Sequence, residues 1–171
     1  MQNPEMTKNW SNLRGIALVT ISGGTKEGTL DDFYFDPQTA GIRALRIKTG
    51  VFGHRALLAS SINAIGVDAI TFAQEDMLID EKSDALLPNM PLGTDLLNYK
   101  VLTEGGTVIG SISDIVLNVG NPAQLSVVAY ELPGGLRNRL IGRHPTFAAN
   151  QVVRYGRDVI VIPDAVAQAL Q

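Results

Sequence analysis

The sequence predicts an all-β fold of two small β-barrels in tandem, followed by a short C-terminal helix. Three observations lead to this prediction. A glycine-rich motif occurs twice at a fixed spacing, and each copy is followed by short β-rich runs separated by Gly, Pro, Asn and Asp. In addition, the apolar residues of one predicted strand change parity, which favours a coiled barrel over a flat sheet.

The repeated motif begins at Gly23 in the first half and at Gly105 in the second, 82 residues later (105 minus 23). A repeat of about half of the 171 residues indicates two modules. Each would be close to the size at which a single core is marginally stable, so we expect the modules to pack together or onto something else. The matched pairs are Gly23 and Gly105, Gly24 and Gly106, Thr25 and Thr107, Gly28 and Gly110, and Asp32 and Asp114.

The composition excludes several classes of site. There is no cysteine, which excludes disulfides, cysteine nucleophiles, iron–sulfur clusters and thiolate zinc sites, and fits a reducing cytosol. The net charge of −3 argues against broad nucleic-acid binding. No signal peptide is recognisable, and no apolar run approaches the ~20 residues needed to span a bilayer. We therefore expect a cytoplasmic protein without a transmembrane segment.

The first half divides into three predicted parts. Residues 1–12 are polar and predict a flexible lead. Residues 13–73 form the first module, and residues 74–93 form an acidic connector. Apolar residues in the connector, Met77 to Ile79, predict that it packs on one or both modules. The predicted strands of the first module are residues 16–21, 28–35, 42–48, 55–58 and 69–72.

The parity switch lies in the second predicted strand of each module. Leu30 is at an even position, whereas Phe33 and Phe35 are at odd ones. Since side chains alternate between the two faces of a strand, this pattern predicts a bulge or sharp bend near Asp31 and Asp32. The second copy repeats the switch between Ile112 and Ile115.

The second module, residues 94–171, repeats the order of strands and adds two features. An insertion over residues 133–145 is the largest departure between the copies. Pro163 and Asp164 suit the start of a short helix that extends to Leu170. The predicted strands are residues 101–103, 110–118, 126–132 and 159–162.

These motifs resemble the PRC-barrel domain, a small all-β barrel. The resemblance is carried by Gly-x-x-x-Asp at the start of the second strand (Gly28 to Asp32, Gly110 to Asp114) and by a closing Gly-x-Asp hairpin (Gly66 to Asp68). It covers residues 13–73 and 95–163. The family includes the cytoplasmic part of the photosynthetic reaction-centre H subunit, which follows a membrane helix, and the C-terminal part of a ribosome maturation factor, which follows a different domain. Neither arrangement is recognisable here.

The resemblance implies docking, assembly and positioning of other molecules rather than catalysis. We expect a non-enzymatic adaptor or assembly protein that binds a protein partner through its barrel surfaces and the 133–145 loop. One alternative is an RNA- or ribosome-associated maturation factor. Another is a peripheral component of a photosynthetic electron-transfer complex, with peripheral membrane association. Packing of the modules within one chain, or between copies in a homo-oligomer, stays open.

The 133–145 loop is the predicted partner-binding site. It combines arginines with apolar neighbours, a mixture that suits a binding hot spot or contacts with phosphate. The alternative is a solvated loop whose arginines form structural salt bridges. The residues concerned are Arg137, Arg139, Arg143, His144, Leu136 and Ile141.

The remaining polar and glycine motifs have a structural interpretation. Asp32 and Asp114 are expected to cap backbone amides at the bulge, and Gly28 and Gly110 to belong to the same turn or bulge. Asp36 and its counterpart Asn118 suit Asx turns, while a divalent-metal or acid–base role for the acidic residues is the alternative. His54 and His144 could meet between modules, but two histidines make a poor metal site. We predict no catalytic residue, cofactor or metal.

Overall fold

Strands dominate the fold in a computed structural model that describes residues 6–134 and 144–170. The all-β prediction is confirmed, and the predicted C-terminal helix is present at Asp164–Ala169. The strands are β1 (Thr7–Asn9), β2 (Ala17–Thr20), β3 (Lys26–Phe35), β4 (Ile42–Thr49), β5 (Gly53–Leu58), β6 (Ile62–Ile65), β7 (Ala69–Phe72), β8 (Leu78–Ile79), β9 (Lys100–Thr103), β10 (Val108–Ser111), β11 (Asp114–Asn118), β12 (Ser126–Glu131), β13 (Thr146–Ala148), β14 (Arg154–Tyr155) and β15 (Val159–Ile162). The helices are α1 (Trp10–Leu13), α2 (Gly93–Leu96) and α3 (Asp164–Ala169).

The first module is a seven-stranded sheet in the order β6-β7-β2-β3-β4-β5-β8. Its neighbouring strands are antiparallel except for β2 and β7, which are parallel. The pairing of β3 with β4 shifts register between Leu30 and Asp32, at the position where the parity switch predicts a bulge. Such a bulge bends a strand and lets the sheet coil around its own core.

The second module repeats this pairing in two four-stranded sheets, β10-β9-β15-β14 and β1-β11-β12-β13. Strand β9 is parallel to β15, as β2 is to β7. The counterpart of the long β3 is divided, because β10 ends at Ser111 and β11 begins at Asp114. The bend that is a bulge in the first module is therefore a complete break in the second.

The leading residues form regular structure in place of the predicted flexible lead, from residue 7 onwards. Strand β1 pairs with β11 of the second module, and α1 follows it directly. Trp10 is only 1% exposed, and its ring lies 5.0 Å from that of Phe33 in an edge-to-face contact. The prediction from polar composition was wrong because one buried tryptophan and three residues paired through their backbone are enough to fix this segment on the second module. Residues 1–5 lie outside the described residues.

An equivalent segment precedes the second module and docks on the first. The Phe35 amide donates to the Pro91 carbonyl at 2.9 Å, and Tyr34 forms a bridge with Leu92 before α2 begins. We call residues 7–13 the first strap and residues 90–96 the second strap. Each strap consists of a short extended run and one helical turn, and each lies on the module to which it does not belong.

The modules also meet directly at the starts of β4 and β12. The Ile42 amide donates to the Leu125 carbonyl at 2.9 Å, and the Val127 amide donates to the Ala40 carbonyl at 2.8 Å. These two bonds are related by a local twofold axis, because Ile42 and Val127 are equivalent donors in the two modules and Leu125 and Ala40 are the equivalent acceptors. A single cluster of buried side chains runs through both modules, from Trp10 to Ala167.

The connector packs on the first module, as its apolar residues predict. Met77 and Leu78 pack against the main core. Ile79 packs against a second cluster that includes Tyr34 and Leu87. Strand β8 within the connector pairs with β5 and so extends the sheet of the first module.

Candidate interaction surface

Asp32 is a buried carboxylate that joins the first module to the second strap. It is 4% exposed and accepts the Phe33 amide at 2.9 Å. It also accepts the Thr94 amide at 3.1 Å and the Thr94 hydroxyl. A carboxylate accepting backbone amides at the start of a helical turn satisfies donors that would otherwise lack partners. Asp32 thus fixes α2 on the sheet.

Asp114 does the same for the first strap. It accepts the Ser11 amide at 3.2 Å, the Ser11 hydroxyl at 2.6 Å and the Ile115 amide at 2.8 Å. The Asn9 side-chain amide donates to Asp114 at 3.0 Å and to Glu131 at 2.8 Å. Burial acts to raise the pKa of Asp114, but the hydrogen bonds from Ser11, Asn9 and Ile115 together hold that pKa below its ordinary value.

The turn residues Asp36 and Asn118 also bond to the backbone. Asp36 accepts the Gln38 amide at 2.9 Å, and Asn118 accepts the Gly120 amide at 3.1 Å, both in the geometry of Asx turns. Within residues 6–134 and 144–170, no group of three or more His, Cys, Asp or Glu side chains is placed to hold a metal ion. Asp32, Asp36, Asp114 and Asn118 therefore all have partners in the fold itself.

Gly28 and Gly110 lie at equivalent irregularities of the barrels. A Cβ at Gly28 would lie 2.4 Å from the Lys48 carbonyl oxygen, so no side chain fits there. Gly110 has a φ of 149°, which L-residues rarely adopt. The pairing of β2 with β3 and that of β9 with β10 each shift register next to these glycines.

Most of the predicted partner-binding loop lies outside the described residues. This applies to Arg137, Arg139, Arg143, Leu136 and Ile141. His144 is described and exposed, and its carbonyl accepts the Thr146 hydroxyl at 3.0 Å. His54 lies on the first module, with its Nε2 at 3.3 Å from Asp31 Oδ2.

The connector covers the outer face of the first module; the sequence predicted that the connector packs, but not which face it covers. We define this outer face by Tyr34, Ala44 and Ala56, which are 2%, 0% and 0% exposed. The connector places Glu81 at 3.0 Å from the Tyr34 hydroxyl and Asp84 at 2.7 Å from Arg43. Arg43 and Tyr34 thus bind acidic residues of the connector at this face.

The corresponding outer face of the second module is more exposed. It is defined by Val116, Ala129 and Thr146, of which the first two are partly buried and the third is exposed. The repeat spacing of 82, which relates Tyr34 to Val116, is the signal that could have revealed this contrast. The second outer face is the candidate interaction surface within the described part of the chain.

An open groove of about 830 Å³ lies where the modules meet. Its charged lining residues are Asp36, which caps its own turn, and Arg43, which is paired with Asp84. Its charged groups therefore serve the fold. The groove is lined by Asp36, Pro37, Gln38, Thr39, Gly41, Ile42, Arg43, Leu58, Ala59, Ser60, Leu86, Asn89, Met90, Pro91, Ala123, Gln124, Leu125 and Ser126.

A comparison with models of protein families identifies the domain that is repeated in this chain. The family model of the PRC-barrel domain matches the chain twice, over residues 6–86 and over residues 88–168. Each match begins just before a strap, so the strap is part of the repeating unit. No curated protein matches the chain. None of the helices in the described residues has the length and apolar character to cross a membrane.

Proposed function

Because the chain belongs to the PRC-barrel family and carries two tandem copies of the domain, we propose that it is a non-enzymatic adaptor or assembly protein of the cytoplasm. It binds a protein partner through its barrel surfaces and the 133–145 loop. The observation that carries this proposal is the use of Asp32 and Asp114 to fasten the straps. Two modules tied in this way present one preformed surface, which lowers the ordering cost of binding.

The roles of the polar residues support a binding function over a catalytic one. A catalytic carboxylate has to reach a substrate, whereas Asp32 is buried against α2 and Asp114 is bonded to the first strap. The arginines of the 133–145 loop then supply the contacts that a binding surface needs, since arginine is common at energetic centres of interfaces.

The proposal is tested by affinity capture from native lysate at low and moderate salt, with bound protein and RNA identified. The bait is the full chain, compared with a variant in which Arg137, Arg139 and Arg143 are changed to alanine. A matched control changes three exposed arginines elsewhere, Arg14, Arg154 and Arg157. We expect a defined protein partner that survives moderate salt, is lost with the loop variant and is kept by the control.

Two results would contradict the proposal. If the loop variant retained every partner, the 133–145 loop would not be the binding site. If the bound material consisted of ribosomal proteins and RNA that nuclease treatment removed, an RNA-linked function would replace the adaptor function, and binding would fall steeply with salt.

A further inference from the structure

The two modules present the same outer face with different coverage. In the first module this face is buried under the connector, whereas in the second it is partly exposed. Comparing the two copies therefore shows what kind of segment this surface accepts, because one copy has its segment in place.

Strand registers establish which positions are equivalent. In the first module Asp32, Arg46 and Ala56 lie side by side on neighbouring strands, and Tyr34, Ala44 and Leu58 form the next row. In the second module the corresponding rows are Asp114, Glu131 and Thr146, and Val116, Ala129 and Ala148. Both modules also carry one bulged residue beside the second row, Arg43 in the first and Val128 in the second.

The connector reaches the first outer face by adding a strand, β8, to the edge of the sheet at β5. In the β5–β8 pairing, Ala56 lies opposite Ile79 and Leu57 lies opposite Leu78. The edge of β5 is thereby occupied by the chain itself. Beyond β8, the connector is held by two polar contacts, from the Tyr34 hydroxyl to Glu81 and from Arg43 to Asp84.

The equivalent edge of the second module is β13, which ends its sheet within the described residues. The Leu132 amide donates to the Pro145 carbonyl, so residues 145 and 147 face β12. By alternation, Thr146 and Ala148 direct their backbone groups away from the sheet. The Ala148 amide is bonded to the Gln151 side chain at 2.9 Å, which leaves the Thr146 position as the point of addition.

The second outer face differs from the first at the two positions that bind the acidic residues of the connector. Val116 stands at the position of Tyr34, and Val128 stands at the position of Arg43. The Tyr34 hydroxyl and the Arg43 guanidinium, which bind Glu81 and Asp84 in the first module, are thus replaced by aliphatic side chains. An acidic segment docked here would bury charge without a partner, which is costly, whereas an aliphatic segment would bury apolar surface.

We propose that the second outer face binds an extended, uncharged aliphatic segment of a protein partner, which adds antiparallel to β13 and covers Val116, Val128 and Ala129. Backbone pairing at Thr146 gives the segment its direction, and the valines select its side chains. This inference rests on the proposed function as an adaptor, and it names the surface and the class of partner segment.

The test uses two synthetic peptides and the full chain labelled with ¹⁵N. One peptide has the native sequence of residues 76–86. The other, the aliphatic peptide, has no charged side chain, because it carries the changes Glu81→Val and Asp84→Val and has serine in place of the remaining charged residues, Asp76, Asp80 and Lys82. We expect the aliphatic peptide to shift the amide resonances of Thr146, Phe147 and Val116, and to bind about tenfold more tightly than the acidic one. A third peptide, the aliphatic one N-methylated at the position of Ile79, lacks one backbone donor and is expected to bind more weakly.

A variant of the chain tests the selectivity independently. Val128→Arg restores the residue type of the first module and is expected to reverse the preference toward the acidic peptide. Val67→Arg, at a valine that is 86% exposed on the first module, is the matched control and should leave the preference unchanged. Retained amide dispersion shows that both variants are folded.

Three outcomes would overturn the inference: shifts confined to other residues, equal affinity for the two peptides, or no saturable binding. If the peptides bind as expected while lysate capture yields no partner, the surface assignment stands and the adaptor function fails. If capture succeeds through the 133–145 loop while neither peptide binds, the adaptor function stands and the surface assignment fails.

Discussion

Asp32 and Asp114 occupy the same position in the two modules and use the same kind of partner. Each accepts the backbone amide and the hydroxyl of the second residue in a helical turn, Thr94 for Asp32 and Ser11 for Asp114. A hydroxyl and an amide from one residue satisfy a single carboxylate with little loss of conformational freedom. The Gly-x-x-x-Asp motif therefore encodes contact between modules as well as the bulge.

The lowered pKa of Asp114 predicts a dependence of stability on pH. A carboxyl whose pKa is lower in the folded state stabilises the fold above its unfolded value of about 3.8, and this contribution is lost as pH falls through the folded value. Asp114→Asn is expected to cost about 1–2 kcal/mol at pH 7, because the amide nitrogen cannot accept hydrogen bonds. The difference from wild type should shrink below pH 4 in urea unfolding.

Asp68 provides the control for this measurement, since it is an exposed carboxylate in the first module. Asp68→Asn should leave stability nearly unchanged at both pH values. A difference between Asp114→Asn and wild type that stayed constant from pH 7 to pH 3 would show that the carboxylate charge has no role in holding the first strap.

At the scale of elements, the straps decide how the modules associate. The first strap contributes Trp10 and Leu13 to the core, and the second contributes Leu96, all at 2% exposure or less. Gly93 permits the second strap to approach, because a Cβ there would lie 2.1 Å from the Phe33 ring. Each strap is short, and a few buried side chains are thus sufficient to join it to the other module.

Truncation of the buried tryptophan measures the contribution of the first strap. Trp10→Ala is expected to destabilise the protein by about 3–5 kcal/mol, the usual cost of deleting a large buried aromatic side chain. Trp10→Phe should cost less, because it keeps the edge-to-face contact with Phe33 and removes an indole N–H that has no hydrogen-bond partner within the described structure. Both values come from denaturant unfolding followed by circular dichroism.

Val153→Ala is the control, because Val153 is 55% exposed and its truncation should change stability by less than about 0.5 kcal/mol. A small cost for Trp10→Ala, similar to that of the control, would mean that the strap is not integral to the fold.

The two repeat units differ in the element that follows their last strand. After β7 the chain continues into the connector and β8, which covers the first outer face. After β15 it enters α3, where Asp164 accepts the Gly105 amide at 3.2 Å and Ala167 is buried. The C-terminal segment therefore covers a different part of its module, which is why the second outer face stays partly exposed.

For the whole molecule, exchange of straps and a shared core predict one cooperative unfolding transition. The single tryptophan, Trp10, lies between the modules and reports on their separation. Its fluorescence and far-ultraviolet circular dichroism should give coincident urea transitions. Asp32→Ala in one module and Asp114→Ala in the other should each move that transition as a whole.

Separate transitions for the two probes would contradict this expectation. A fluorescence change that preceded the loss of circular dichroism would mean that the modules part before they unfold, as independent domains do. Thermal unfolding by calorimetry offers a second test, since the calorimetric and van't Hoff enthalpies agree only for a two-state protein.

Local patterns determined the fold class and the bulges. Alternation of apolar residues and the position of Gly28 and Asp32 act within one strand and its neighbours, so they can be read directly from the chain. The repeat spacing also identified the two modules, because equivalent residues recur in the same order. The Asx turns at Asp36 and Asn118 are equally local.

Contacts between distant segments were decided only in the tertiary structure. The pairing of β1 with β11 joins residues more than a hundred positions apart, and nothing in residues 7–9 marks their partner. The same holds for the connector on the first outer face, where Arg43 meets Asp84. Strand edges and small apolar faces are chemically similar throughout the chain, so geometry and not composition selects which segment covers which face.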